Sequence, residues 1–307
     1  DVSGIYKWNY FKYKFDNTTL PIAINSWITD STIAEQTYGT INNWDVSDVT
    51  NMTELFKDKT TFNDNISGWD VSNITTMENM FMNAESFNQD ISDWNVFNVT
   101  NMSSMFENAI IFNQDIQGWN VSSVKDMNTM FYGASSFNLP LKNLDVSSVT
   151  DMNHMFYGAS VFNRNIFQWD VSRVTDMNHM FVNTTNFNPH QGLNWNVSSV
   201  NRMDYMFNQS TFNQDIGDWN VSKVSNMSAM FKDATNFNQP LNDWDVSKVK
   251  DMGDMLHNAT AFNQNISNWN IKNVNNWNEF GLNATSMSVE FQAIIDVSGI
   301  YKWNYFK

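Results

Sequence analysis

Residues 87–106 read FNQDISDWNVFNVTNMSSMF, and nearly the same phrase returns every 25 residues. The Trp before Asp/Asn-Val falls at Trp44, Trp69, Trp94, Trp119, Trp169, Trp195, Trp219, Trp244 and Trp269, with Leu144 replacing it once. The steps are 25 except for a 26 and a 24 around Trp195. The Asn of Phe-Asn runs from Asn63 to Asn263 without leaving the 25-residue step. One residue inserted before Trp195 is therefore offset by one lost after Phe207, and the register recovers, as in stacked coils.

Two periodicities lie inside the phrase. Ile91, Trp94 and Val96 follow an L-x-x-L-x-L rhythm, and the Trp/Val alternation is that of a short strand with one buried face. Met102, Met105, Phe106 and Ala109 recur at i, i+3, i+4 and i+7, which predicts one face of a short helix, with Thr100 and Asn101 placed to cap it. A 25-residue unit cannot bury its own apolar edge, so the units must stack. Of the 19 Met residues, all but Met82 and Met287 fall in the two helix slots, where Met serves as core filler. The Asn after Phe is expected to be buried and to bond to turn backbone of its own coil and the next, as an asparagine ladder. The expected architecture is α/β, a right-handed solenoid of about ten 25-residue coils, each a short parallel strand plus a short helix. Residues 1–43 form a junction or capping segment with irregular coils, 44–293 the ten-coil solenoid, and 294–307 the start of a next unit.

WDVSRVTDMNHMF, residues 169–181, carries a family resemblance. The chain resembles BspA-like leucine-rich-repeat surface proteins, closest to the version found in mycoplasma surface lipoproteins. The resemblance spans about residues 41–293. It implies a leucine-rich-repeat solenoid with a parallel sheet along one side and a surface-exposed protein of adhesive or interaction type. It transfers no catalytic residue, and the lipidated Cys of the lipoproteins is missing.

The two ends carry one sequence: DVSGIYKWNYFK is residues 1–12 and again 296–307, an offset of 295. The second copy enters in phase with the coils, with Ile295-Asp296-Val297-Ser298 in the Trp-Asp-Val-Ser slot. The chain thus reads as one period, with overlap, of a longer structure; the alternative is a monomer whose two copies are matching N- and C-terminal caps. Its aromatic segment, Tyr6, Trp8 and Tyr10 with Tyr301, Trp303 and Tyr305, is expected to mediate self-association end to end.

Composition narrows the function. A net charge of −15 disfavours nucleic acid and anionic membrane surfaces. There is no Cys, hence no disulfide, thiolate metal site or cysteine nucleophile, and no apolar run long enough to insert in a membrane. No nucleophile elbow, phosphate loop or metalloprotease motif is present, and the reading is not an enzyme. No cofactor is expected, with one possible ion. Asp45 with Asp70, and Asp145 with Asp170, would stand side by side on neighbouring coils as like charges, and calcium would relieve them. His154 and His179, also 25 apart, are expected to be surface neighbours without a third zinc ligand. The expected role is an extracellular or cell-surface structural repeat protein that builds a filament or stalk. The alternative is an adhesin that binds a host or neighbouring-cell ligand through its polar sheet face.

Overall fold

A computed structural model of the chain describes residues 13–287. The first described segment is a lid on the coil stack. Lys14 pairs in parallel with Asp45, with Phe15 N–H donating to the Asp45 carbonyl at 2.8 Å. Asp16 turns the chain by accepting from Thr18 and Thr19 N–H, and helix α1 (Thr19–Thr29) follows. Leu20, Ala23, Ile24 and Trp27 are spaced for one helix face and all are buried. Thus Ile24 and Trp27, in the segment expected to form irregular coils, lie on a helix. Asp30 caps helix α2 (Ser31–Tyr38) by accepting from Ile33 N–H. The rings of Tyr13, Phe15, Trp27, Tyr38 and Trp44 cluster beneath this lid, with Trp27 and Trp44 meeting edge to face at 5.7 Å.

From Trp44 the chain winds into coils that stack in register. Asn51, Thr76, Asn101, Asp126, Asp151, Asp176, Arg202, Asn226, Asp251 and Asn276 pair in parallel, each with the next in the series. The expected α/β leucine-rich-repeat solenoid is overturned at this point. Among the described residues these pairings are isolated bridges of one residue per coil, with no sheet, and the coils contain no helix. The strand expected at Trp94–Val96 does not form: the segment is a short link between two turns, one closed by Trp94 N–H on Ile91 C=O and the other by Val99 N–H on Val96 C=O. Asn101 does cap, accepting from Ser103 N–H at 2.8 Å, but what it opens is another turn.

The helix fails for a conformational reason. An α-helix needs every residue right-handed, yet Ser104 and Asn108 have φ of +52° and +53°. The same two slots are left-handed in all ten coils, from Glu54 and Asp58 to Glu279 and Asn283, with Gly133 and Gly158 in the second slot. The backbone then bonds in alternation. Met105, Glu107 and Ala109 donate back three residues within the coil, while Met102, Ser104, Phe106 and Asn108 donate to the next coil, at Asp126, Asn128, Met130 and Tyr132. Two successive four-residue turns bury i, i+3, i+4 and i+7, as a helix would, and Met102, Met105, Phe106 and Ala109 are all 0% exposed.

Side chains repeat this coil-to-coil bonding. Trp119 Nε1 donates to Ile91 C=O of the preceding coil at 3.0 Å, and Trp94, Trp169, Trp219, Trp244 and Trp269 make the equivalent bond. The asparagine ladder is present: Asn113 N–H donates to Asn88 Oδ1, Asn138 N–H to Asn113 Oδ1, and so on from Asn63 to Asn263. Its members are half-buried or exposed, not buried as expected. Phe files complete the core: Phe106, Phe131, Phe156 and Phe181 stack 5.6–5.7 Å apart with near-parallel planes. At the register slip, Trp195 still stacks on Trp169 at 6.4 Å and on Trp219 at 6.2 Å, and Asn213 still donates to Asn188.

Two outcomes follow from this packing. Trp119→Ala removes a ring that is 3% exposed together with its bond to Ile91, and should cost about 3–5 kcal/mol in urea-induced unfolding. Gln209→Gly should do the opposite: Gln209 is exposed and left-handed at φ +54°, so glycine should stabilise by about 1 kcal/mol in the same assay.

Candidate functional site: a ring ladder on one edge of the stack

The first left-handed slot of each turn lies in a file that varies: Ser104, Thr129, His154, His179, Tyr205, Ala229 and Asp254. Three residues further on runs a second variable file, Glu107, Tyr132, Tyr157, Val182, Asn208, Lys232 and His257. The core files are nearly invariant because each Trp, Met or Phe faces the same residue in the next coil. The variable files are where the coils differ, so they are where a site can be written.

Midway along the stack both files turn aromatic. Tyr132 and Tyr157 stack at 4.6 Å and 12°, His154 and His179 at 4.4 Å and 5°, and His179 and Tyr205 at 4.5 Å and 10°. His154 lies 5.8 Å from Tyr157 and joins the two runs. All five rings are half-buried. The expected adjacency of His154 and His179 is therefore present, inside a longer ladder that includes three tyrosines.

A charged network borders the ladder. Arg202 grips Asp204, with Nε to Oδ1 at 3.2 Å and Nη2 to Oδ2 at 3.0 Å, and reaches Asp176 at 3.5 Å. The Asn178 side-chain oxygen, with its amide turned to suit, accepts from Arg202 at 2.7 and 3.1 Å. Burial pushes the Asp176 carboxyl above its ordinary range, even though Arg202 acts against it. Burial and the stacked His179 together push His154 down from 6.5 to about 4, and burial lowers His179 as well. Both imidazoles are thus neutral at pH 7. His154 Nδ1 pairs with Asn153 Oδ1 at 2.9 Å, while His179 Nδ1 is buried without a partner.

The aspartates considered for calcium serve their own coils. Asp45, Asp70, Asp145 and Asp170 each accept from the N–H of the Ser two residues on, at 3.0–3.1 Å. Hydrogen bonds from Ser172 hold Asp170 below the ordinary carboxylate range. These residues repeat once per coil. Among the described residues, ligating side chains converge at Asp254, His257 and Glu279. The self-association residues Tyr6, Trp8, Tyr10, Tyr301, Trp303 and Tyr305 lie outside the described residues. No described helix is long and apolar enough to cross a membrane.

The ladder had a sequence signal that the core periodicity masked. M-N-H-M at 152–155 and 177–180, and F-Y-G at 131–133 and 156–158, put rings in the two variable files of adjoining coils.

The family model described as "Mycoplasma protein of unknown function, DUF285" matches residues 25–139, 112–210 and 189–294, three overlapping tandem segments. No curated protein matches. Among solved structures, a chain of the TLR13–ssRNA13 complex matches at 10% identity and a TM-score of 0.23, a likeness too slight to place the fold. The match covers 78% of this chain and 37% of that one.

Acid should loosen the stack at the ladder. His154 is neutral in the fold down to about 4 but would protonate near 6.5 when unfolded. Its contribution is therefore whole above 6.5, falls as pH drops from 6.5 towards 4, and levels off below that. After allowance for its half-exposure, the loss should be about 1–2 kcal/mol. Urea melts across this range should show the loss, and His154→Gln should flatten it.

Proposed function

We propose, from the premise that this chain belongs to the DUF285 family of mycoplasma proteins of unknown function, that it is a structural repeat protein whose stack is continued from unit to unit into a filament or stalk. One observation carries the reading. In interior coils the apolar edge is sealed: Val246 is 1% exposed, and Val249 and Met252 are 0%. Their counterparts in the last described coil, Ile271, Val274 and Trp277, are only partly buried. A coil that leaves its apolar edge partly open is suited to receive another layer. The identical segments at 1–12 and 296–307 fit such a plan, since 296–307 then serves as residues 1–12 of the following unit. The resemblance to BspA-like surface proteins supports a location outside the cell.

The test is a longer chain. A protein running 1–307 and then repeating from residue 13 should give, in electron micrographs, one unbroken rod about twice the single-unit length. Two beads joined by a flexible link would overturn the proposal. Ile271→Lys with Val274→Lys should break the rod at its midpoint.

A second reading, adhesion to a host or neighbouring cell, is favoured by the ring ladder, which presents three tyrosines and two neutral imidazoles on one edge. If it holds, Tyr132→Ser with Tyr157→Ser should abolish binding to whole cells without shifting the melting temperature by more than a few degrees.

A further inference from the structure

Near the last described coil the variable files carry a combination found nowhere else along them: Asp254 and His257 on one coil, Glu279 on the next. His257 Nδ1 lies 2.7 Å from Asp254 Oδ1 and 3.1 Å from Glu279 Oε2. All three donor atoms fall within 4.8 Å of one another. The imidazole side chain is 14% exposed, against 30% for Asp254 and 55% for Glu279. The backbone fixes both halves. His257 N–H donates to Asp254 C=O within one turn, and Asp254 and Leu256 N–H donate to Asn278 and Phe280, either side of Glu279.

We propose that Asp254, His257 and Glu279 bind one zinc ion, through Nδ1 of the imidazole and one oxygen of each carboxylate. The donor set selects the ion. Calcium and magnesium prefer oxygen alone, whereas zinc accepts one nitrogen with two carboxylate oxygens. Zinc–donor bonds of about 2.0–2.2 Å in a tetrahedral arrangement put the donors about 3.3 Å apart. The observed 2.7 and 3.1 Å separations need to open by only about half an ångström, within reach of side chains held on turns. The ring would then carry its proton on Nε2, and the fourth position faces solvent on the side of the more exposed Glu279.

Lys232 is the internal competitor. Its Nζ lies 3.1 Å from Asp254 Oδ1, where it offsets one negative charge. Bound zinc would repel it, and its side chain, 30% exposed, has room to turn into solvent. A zinc site and a plain ion-pair cluster therefore predict opposite effects of removing Lys232. The ion-pair cluster only loses stability, whereas the zinc site gains affinity.

The test uses the purified chain of residues 1–307, stripped with chelator and titrated with zinc chloride by calorimetry, with thermal melting in parallel. The expected result is one saturable equivalent and a rise in melting temperature that excess chelator reverses. His257→Ala and Glu279→Gln should abolish that equivalent, and Lys232→Ala should tighten it. Glu279 is exposed, so Glu279→Gln leaves the fold intact and its loss of binding can be read without ambiguity. Absence of a zinc-dependent shift, or binding that persists in the His257→Ala/Glu279→Gln double variant, would overturn the proposal and leave an ion-pair cluster only.

Discussion

The backbone of each coil is satisfied by its neighbour, and the rest of the molecule depends on that. A chain made of turns leaves half of its amides without a partner inside the coil, and a buried unpaired amide costs on the order of 1–3 kcal/mol. Here the amides alternate, one bonding back three residues and the next donating to the coil beyond. The alternation holds only if two residues per coil adopt the left-handed conformation. A single coil of this sequence would leave the amides of Met102, Ser104, Phe106 and Asn108 without these partners. Stacking supplies the hydrogen bonds as well as the apolar burial.

Much of this was written in the sequence, and the part that was not has a physical explanation. The Trp, Met and Phe files and the asparagine ladder were legible because each is a side-chain identity repeated at a fixed step. The departures lie at Trp94–Val96, which forms no strand, and from Met102 to Ala109, which forms no helix. A helix and a pair of four-residue turns bury the same positions, so hydrophobic spacing cannot separate them. Backbone preference could have done so. The second left-handed slot holds Asp58, Asn83, Asn108, Gly133, Gly158, Asn183, Asp233, Asn258 and Asn283, the residue types that best tolerate a positive φ, with Gln209 the one exception. A helix would have no reason to place such residues there in coil after coil.

The candidate sites were harder to see for a related reason. The aspartates beside Trp attract notice because they are charged and periodic, but that periodicity reflects a turn that each coil must make. Asp70 and Asp170 hold their own backbone, as Asn95 and Asn120 do without charge. The distinctive positions are those where the repeat falters: histidine at 154 and 179, tyrosine at 132, 157 and 205, and the triad at 254, 257 and 279. None is prominent within a single coil. They become groups only when coils 25 residues apart are brought face to face.

The coil-to-coil bonding also decides how the molecule answers tension. Pulled from its two ends, the stack presents its contacts one layer at a time, because each coil is tied only to the layers on either side. The outermost coil should peel away as a unit while those beneath stay intact. Each release would free 25 residues, about 80–90 Å of slack when drawn straight. The rupture force would be set by a single layer, however many layers there are. Such a tether lengthens in steps under load and rewinds, layer upon layer, when the load is removed.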